Sequence, residues 1–294
     1  MIARLRRFLR LTRRAIVALV VEWYYTASTP LRARRRYVPT SGIEVSLTSH
    51  GERLQRVHVA VESILRGAAR PRRVILWVDD AVWARHPPKR ILSQLGRGLE
   101  VRLSQDFGPH TKYFPYCTRV AGPSGTAFVT ADDDIIYPRR WLSGLLRGAA
   151  EHPDDAIAYL VRRIELHDGE LLPYRRWGPV LDGSIGVENF ALGVSGVLYP
   201  PAFAALVQQL GERFLVVCPR ADDVWINSVL LQASVRVRPV ERAAPLFPTV
   251  WSTDASALRH ANVAGGENDA QIAGTYTATL RARLIEAAGP GRHG

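Results

Sequence analysis

From residue 43 onward the chain alternates short apolar segments with segments of helical spacing, and this alternation constrains the fold more than any other feature. Apolar segments typical of buried strands occupy residues 43–47, 74–78, 99–103 and 126–130. Apolar residues recur at helical spacing in 54–66, and helices are also expected at 141–150 and at 82–95, the latter with an interruption at Pro87-Pro88. This order favours a mostly parallel α/β sheet flanked by helices, in which ligands bind beyond the carboxyl ends of the strands.

The second half of the chain is less regular, and we interpret it as appended elements on the same domain. A strand-like stretch at 156–166 precedes His167-Asp168-Gly169, which predicts a hairpin. Helices are expected at 201–210 and 222–232, and residues from about 251 look loop-like. The predicted organisation is an N-terminal arm and linker (1–40), one domain (41–280) and a C-terminal tail (281–294).

Positive charge is concentrated at the N-terminus. The formal net charge is +12, and residues 1–36 contribute +9 of it through ten arginines against the single acid Glu22. The rest of the chain is nearly neutral, which argues against a nucleic-acid-binding domain. The two cysteines, Cys117 and Cys218, are isolated, so neither a zinc knuckle nor a disulfide framework is indicated and a cytosolic setting fits.

The basic arm has the composition of a helix that lies in a membrane interface. Its uninterrupted apolar run, 15–21, is far shorter than the ~20 residues that span a bilayer, and Trp23-Tyr24-Tyr25 suits the headgroup boundary. We therefore expect residues 1–36 to bind an anionic membrane surface and the protein to be peripheral at the inner face of the cell membrane. A helix packed on its own domain and a signal peptide are the alternatives.

Polar residues follow three of the predicted strands: Thr48-Ser49, Asp79-Asp80 and the acid triplet Asp132-Asp133-Asp134. Three successive carboxylates repel one another, and a divalent cation relieves that repulsion. Mg²⁺ and Mn²⁺ prefer one or two carboxylates together with water and substrate phosphates. Apolar sequence on both sides of the triplet argues against a solvated turn and predicts a metal and phosphate site.

Several ordered motifs resemble those of a known family. The segments are 47–53 (LTSHGER), 71–79 (PRRVILWVD), 129–138 (VTADDDIIYP), 193–200 (GVSGVLYP) and 220–225 (RADDVW). Over residues 43–275 the chain resembles bacterial GT-A-fold glycosyltransferases of the family 2-like kind. The resemblance implies a metal-dependent, hexosyltransferase-like enzyme that moves a sugar from a nucleotide diphosphate sugar to an acceptor hydroxyl, on an envelope glycan or a glycolipid.

The resemblance also implies a donor site at the strand ends. Thr48, Ser49, Arg53 and Asp79 would surround the nucleotide. Asp132 and Asp134 match the outer positions of the D-x-D motif, with Asp134 on Mn²⁺ or Mg²⁺ and Asp132 on the ribose or the metal. The run of three leaves the frame open, so Asp133 also stays a candidate for the donor site.

Further roles are expected downstream. Lys112 offers a point charge to the diphosphate, with an exposed surface lysine as the alternative. The resemblance implies that Asp223 is the general base, with Asp222 in the place of the glutamate of the family's x-E-D region. This role predicts inversion at the anomeric carbon, and a helix cap is the alternative. His260 is a candidate third metal ligand. Residues expected to help form an acceptor face are Trp177, Asn189 and Phe190.

Two other functional classes fit parts of the pattern. A nucleotidyltransferase also combines an α/β sheet with paired aspartates and Mg²⁺, but it usually carries a glycine-rich basic loop after its first strand, and residues 47–53 contain one glycine. The other class is a non-catalytic, membrane-peripheral binding module in which the acid triplet is structural.

Overall fold

The computed structural model describes residues 16–32, 36–250 and 267–288. Its strands are β1 (Glu44–Thr48), β2 (Arg73–Val78), β3 (Leu99–Leu103), β4 (Phe128–Thr130), β5 (Ala156–Ala158), β6 (Val161–Arg163), β7 (Leu166–His167), β8 (Glu170–Leu171), β9 (Asn189–Ala191), β10 (Val197–Tyr199) and β11 (Val237–Pro239). Its helices are α1 (16–28), α2 (Val57–Leu65), α3 (Ala81–Arg85), α4 (Lys89–Leu95), α5 (Phe114–Arg119), α6 (Trp141–Glu151), α7 (Pro201–Leu210), α8 (Phe214–Val217), α9 (Asp222–Gln232), α10 (Glu267–Thr275) and α11 (Ala278–Ala288).

In the described part of the chain, seven strands form the main sheet in the order β11-β5-β10-β4-β1-β2-β3. Its pairs are parallel except the two made by β10, which runs opposite to its neighbours β4 and β5. Strand β1 lies between β2 and β4, with Ser46 opposite both Ile75 and Thr130. The expected fold class, a mostly parallel α/β sheet flanked by helices with appended elements, is confirmed.

Helices bury both faces of the sheet. Because successive side chains of a strand point to opposite faces, alternate residues enter two different cores. One core lies against α2 and α6 and takes alternate strand residues: Val45, Leu47, Val74, Leu76, Val129 and Leu198. The other lies against α5, α7 and α9 and takes the intervening ones: Ile75, Trp77, Phe128, Val197 and Tyr199. Helices on both faces leave the ends of the strands as the place where polar groups meet solvent.

The predicted elements agree with the structure except in the tail. The expected interruption of 82–95 at Pro87-Pro88 is confirmed, and it divides this segment into α3 and α4. The loop-like interpretation of the tail is wrong for residues 267–288, which form α10 and α11, and Leu284 of α11 is fully buried. Helix α11 runs through position 281, where a tail was expected to begin. The hairpin at 166–171 is confirmed, with positive φ at Asp168 and Gly169.

Helix α1 packs on the domain through one face. Ala18 is buried against Val59, Ile136 and Val250. Packing on its own domain, the alternative considered for the arm, is therefore confirmed for this helix, whereas residues 1–15 lie outside the described part. Among the described residues, no helix has both the length and the apolar character needed to cross a bilayer.

Candidate functional site

The acid triplet lies where the carboxyl ends of β1, β2 and β4 meet. These strands are parallel neighbours, so the residues that follow them emerge at one edge of the sheet. Asp132, Asp133 and Asp134 follow β4, and Thr48 closes β1. The topology thus brings the predicted donor-site segments together.

Arg53 holds two members of the triplet. It lies in the short 3-10 helix Gly51–Gln55 that follows β1. Its Nη2 is 2.5 Å from Asp133 Oδ1 and 2.9 Å from Asp134 Oδ2. The Asp133 side chain is buried, whereas that of Asp134 keeps 18% of its surface exposed. Asp133 therefore anchors Arg53 inside the protein, and Asp134 is the more accessible carboxylate of the two.

Burial and the neighbouring negative charges raise the pKa of two members of the triplet, Asp133 and Asp134. Burial raises the pKa of Asp134 to about 6, and the charge of Asp132 adds to the shift while Arg53 opposes it. The pKa of Asp133 is also raised, chiefly by burial. A second cation near Asp134 would lower the pKa of this carboxyl and restore its charged form. A carboxylate must carry that charge to bind a metal ion, with or without a phosphate on the same ion.

Lys112 joins the triplet to the second acidic pair. Its Nζ lies 2.9 Å from Asp132 Oδ1 and 2.8 Å from Asp222 Oδ2. Burial alone would lower the pKa of Lys112, but the charges of Asp132, Asp222 and Asp223 outweigh it and hold that pKa well above the usual value. The alternative of an exposed surface lysine is wrong, because Lys112 is 8% exposed.

The backbone of Lys112 is held by a hydrogen bond from strand β1. Ser46 Oγ donates to the carbonyl oxygen of Lys112 over 2.7 Å and accepts from Trp77 Nε1 at 2.9 Å. Our sequence interpretation missed this role of Ser46. A serine inside an otherwise apolar strand was the signal available for it.

Asp222 and Asp223 begin α9, yet both carboxylates contact other elements. Asp222 is paired with Lys112, and Asp223 Oδ1 accepts a 2.9 Å hydrogen bond from the backbone N–H of Gly193. Burial, and then the neighbouring charge of Asp222, raise the pKa of Asp223 to about 7, although Lys112 opposes the shift. Asp223 keeps part of its surface accessible. A carboxylate with such a pKa is suited to accept a proton near neutral pH.

Two residues that the sequence interpretation did not assign hold this pair in place. Asn227, one turn along α9, donates to the carbonyls of Asp223 and Ala191, at 2.7 and 2.8 Å, and accepts from Ala191 N–H. A Cβ atom on Gly193 would lie 2.9 Å from Asp223 Oδ1 and 3.1 Å from Lys112 Nζ. The close approach of the loop to both charged groups therefore requires glycine at 193.

Tyr137 supports the triplet from its own side. Its hydroxyl accepts from the backbone N–H of Asp132 at 2.7 Å, and its ring packs on Trp141 at 4.2 Å. Trp141 Nε1 in turn donates to the carbonyl of Ser195, in the Gly193–Ser195 turn. The tyrosine lies inside the 129–138 motif, but its support of Asp132 depends on a turn that sequence reasoning did not predict.

Other predicted donor-site residues border the same edge. Thr48 Oγ1 donates to the carbonyl of Trp77, Ser49 is buried, and Asp79 is exposed at the end of β2. Asp80 caps α3 by accepting from the backbone N–H groups of Val82 and Trp83. Thr48, Ser49 and Asp79 thus lie at the same edge of the sheet as the triplet, and their contact with a nucleotide stays a prediction.

The expected acceptor face does not include the three residues named for it. Trp177, Asn189 and Phe190 are each at most 2% exposed, and the Trp177 and Phe190 rings pack together at 5.2 Å. Burial in the core leaves them no surface for an acceptor, so that prediction is wrong. His260 lies outside the described residues, and its proposed metal contact is untested.

A metal centre formed entirely by protein is not found in the described ranges. Within 16–32, 36–250 and 267–288, no group of three or more His, Cys, Asp or Glu side chains is arranged to hold an ion. Within the triplet, Asp132 and Asp134 are the two carboxylates that keep part of their surface exposed, at 22% and 18%.

No known protein-family profile and no curated protein sequence matches the chain. Among solved structures, it is similar to S. aureus TarS 1-349 (TM-score 0.44, 12% identity, 69% of this chain and 59% of that one). Similarity to the same TarS segment in complex with UDP has a TM-score of 0.43 at 12% identity, with the same coverage. The chain therefore spans less than two thirds of these TarS structures.

A further similar structure is the 4-diphosphocytidyl-2C-methyl-D-erythritol synthase of Anaerococcus prevotii, with a TM-score of 0.41 and 11% identity. That likeness covers 62% of this chain and 80% of the synthase. Likenesses at this level of identity and TM-score carry no argument about function, which rests on the site residues themselves.

Proposed function

We propose that the protein is a glycosyltransferase that uses a nucleotide diphosphate sugar. The observation that carries the proposal is the bridge formed by Lys112 between Asp132, at the ends of the parallel strands, and Asp222, beside Asp223. Sugar transfer needs cationic charge for a diphosphate leaving group and a proton acceptor for the attacking hydroxyl. In this bridge, the cationic charge of Lys112 lies next to the acidic pair that contains the candidate proton acceptor, Asp223.

On the donor side, we assign Asp132 and Asp134 to a divalent cation, Mn²⁺ or Mg²⁺. Such a cation, when bound, neutralises the diphosphate as it leaves. Arg53 and Lys112 add fixed positive charge at the same edge, and Asp133 keeps Arg53 in place. Thr48, Ser49 and Asp79 border the pocket where we place the nucleotide, and His260 stays a candidate third ligand.

On the acceptor side, we assign the general base to Asp223. Asp222 is the weaker candidate because Lys112 already neutralises its carboxylate. Asp223 is oriented by Gly193 N–H and keeps an accessible surface. One base opposite one leaving group favours inversion at the anomeric carbon, through an oxocarbenium-like state. We propose a hexosyl donor and an acceptor hydroxyl on an envelope glycan or a glycolipid.

A product assay tests the class of reaction. The full-length protein, with Mn²⁺, is incubated with a panel of nucleotide diphosphate sugars and, separately, with nucleoside triphosphates plus sugar phosphates. We expect release of nucleoside diphosphate from at least one sugar nucleotide. Pyrophosphate release from a triphosphate would instead identify a nucleotidyltransferase, and neither binding nor turnover of any sugar nucleotide would identify a non-catalytic module.

The assignment of Asp134 predicts a loss of metal-dependent nucleotide binding. Asp134→Asn keeps the size of the side chain and removes the charge that the cation requires. We expect the affinity for UDP or GDP, whichever the wild type binds in Mn²⁺, to fall at least tenfold by isothermal titration calorimetry. Asp154→Asn, an exposed aspartate away from the site, serves as the control. Equal affinity in wild type and Asp134→Asn contradicts the assignment.

Substitution of Gly193 tests the geometry around the base. Because the new methyl group of Gly193→Ala crowds both Asp223 and Lys112, we expect kcat to fall at least tenfold while the fold persists, with a destabilisation of about 1–3 kcal/mol. Gly42→Ala adds the same methyl group where no atom lies within 4 Å. Similar kcat values for the two variants would show that the loop at 193 does not position the base.

A further inference from the structure

Helix α1 has two apolar faces, and the domain covers one of them. The covered face carries Ala18 and Tyr25, and the helix is fixed by three side-chain contacts. Glu22 pairs with Arg56 at 3.2 Å, Thr26 Oγ1 lies 3.1 Å from His58 Nε2, and Ser28 Oγ accepts from Arg66 at 2.8 Å. The guanidinium of Arg66 also lies over the Tyr25 ring. The orientation of α1 on the domain is therefore defined by residues of α2 and its flanks.

The opposite face of α1 is apolar and exposed to solvent. It carries Ile16, Leu19, Val20 and Trp23, whose spacing places them on one side of the helix. All four are exposed, and Trp23 keeps 72% of its surface accessible. A contiguous stripe of large apolar side chains on a docked helix is typical of an interaction surface, since exposure to water disfavours it. We call this stripe the free face of α1.

The charge around the free face favours a lipid surface as its occupant. Residues 1–15, which continue directly into α1, carry six arginines and no acid. Glu22, the only acid of the arm, is turned to the domain and paired with Arg56. Trp23 and Tyr24 stand where aromatic residues occupy a headgroup boundary. A second copy of the chain carries the same excess of arginines in its own arm, so charge repulsion disfavours it as the occupant.

The candidate site lies next to this helix. Ile136, which contacts Ala18, is two residues from Asp134, and Val250, also in that contact, donates its backbone N–H to the carbonyl of Asp134. On the other side, Arg53 pairs with the triplet and Arg56 pairs with Glu22 of α1. The acid triplet is thus one layer of residues away from α1.

We propose that the free face of α1 docks the protein on an anionic lipid surface, with the acid-triplet edge of the sheet beside the bilayer. The apolar stripe inserts into the headgroup boundary, and the arginines of residues 1–15 bind the lipid phosphates. Docking of this kind does not require the proposed catalysis. It does imply that an acceptor reaching the site from the membrane has a short path.

Vesicle flotation of the full-length protein, without donor or acceptor, tests the proposal. Vesicles of phosphatidylcholine mixed with phosphatidylglycerol are compared with phosphatidylcholine alone. We expect binding to the anionic vesicles only, reversed by high salt, since each arginine contributes roughly fivefold at such a surface. The double variant Val20→Ser/Trp23→Ser should reduce the partition at least about tenfold. Val216→Ser, at a residue that is more exposed than either but lies on α8, should leave it unchanged.

Three results of the vesicle experiment would overturn the proposal. They are no binding of the wild type to anionic vesicles, undiminished binding of the double variant, and equal binding to neutral and anionic vesicles. The other possible occupant of the free face is a second copy of the chain, and sedimentation velocity without lipid tests it. We expect a monomer. A concentration-dependent dimer that Val20→Ser/Trp23→Ser dissociates would assign the free face to a second copy instead. If the wild type binds the vesicles but turns over no sugar nucleotide in the product assay, only the proposed function is overturned.

Discussion

Asp223→Asn is expected to lower kcat by about 10²–10⁴-fold, the usual contribution of a general base, while the affinity for the donor nucleotide changes little. The amide has the shape of the carboxylate, and its oxygen can still accept the hydrogen bond from Gly193 N–H. The substitution therefore removes the basic group and keeps the loop in place. Steady-state kinetics of sugar transfer, together with calorimetry of nucleotide binding, measure the two effects separately.

The pH dependence gives an independent check of the same residue. The pKa of Asp223 is raised to about 7, so the carboxylate is protonated below that value and becomes available as a base above it. We expect kcat/KM of the wild type to rise about tenfold per pH unit below pH 7 and to level off above it. A flat profile across this range would contradict the assignment. So would a large loss of kcat in Asp222→Asn if Asp223→Asn stays active.

Lys112→Met is expected to destabilise the protein by about 3–5 kcal/mol, because it leaves several carboxylates without their shared cation in a buried site. Lys112 contacts Asp132 and Asp222 directly, and the charge of Asp223 also acts on it. Methionine matches the length of the lysine stem, so the change is chiefly one of charge. Chemical denaturation followed by circular dichroism gives the free energy of unfolding.

The sequence supplies a matched control, since Lys89 is the other lysine of the chain and is exposed. Lys89→Met should change the free energy of unfolding by no more than about 0.5 kcal/mol. If Lys112→Met does not fold, Lys112→Met/Asp222→Asn should, because the second change removes part of the repulsion. Additive effects of the two substitutions would show that Lys112 and Asp222 are not coupled.

Together, these substitutions separate two tasks of one charged network. Asp223 is predicted to act on the rate and Lys112 chiefly on stability, although Lys112 lies between the two acidic groups. The same network explains why Asp222 and Asp223, adjacent in sequence, have different surroundings. One is neutralised by an ammonium group, and the other accepts a backbone N–H and keeps a raised pKa.

The fold was predictable because its signals are local. Alternating strand-like and helix-like segments define a parallel α/β sheet, and an acidic run directly after a buried strand must lie at the carboxyl edge of such a sheet. The interruption of 82–95 at Pro87-Pro88 was predictable for the same reason, because proline lacks the N–H that a helix interior requires. The helices at 267–288 were missed because their apolar residues show little helical periodicity, and Leu284 is buried by packing on other elements.

The site was predictable as a set of residue types but not as an arrangement. The sequence by itself determined the acid triplet, the second acidic pair and the scarcity of lysine, because these are properties of composition and order. Only the tertiary structure decided that Lys112 bridges Asp132 to Asp222, positions far apart in the chain, and that Asp133 turns inward while Asp134 faces out. It likewise buried Trp177 and Phe190, which sequence reasoning had placed on a surface. Side-chain direction and ion pairing depend on contacts between distant segments, and no local pattern records them.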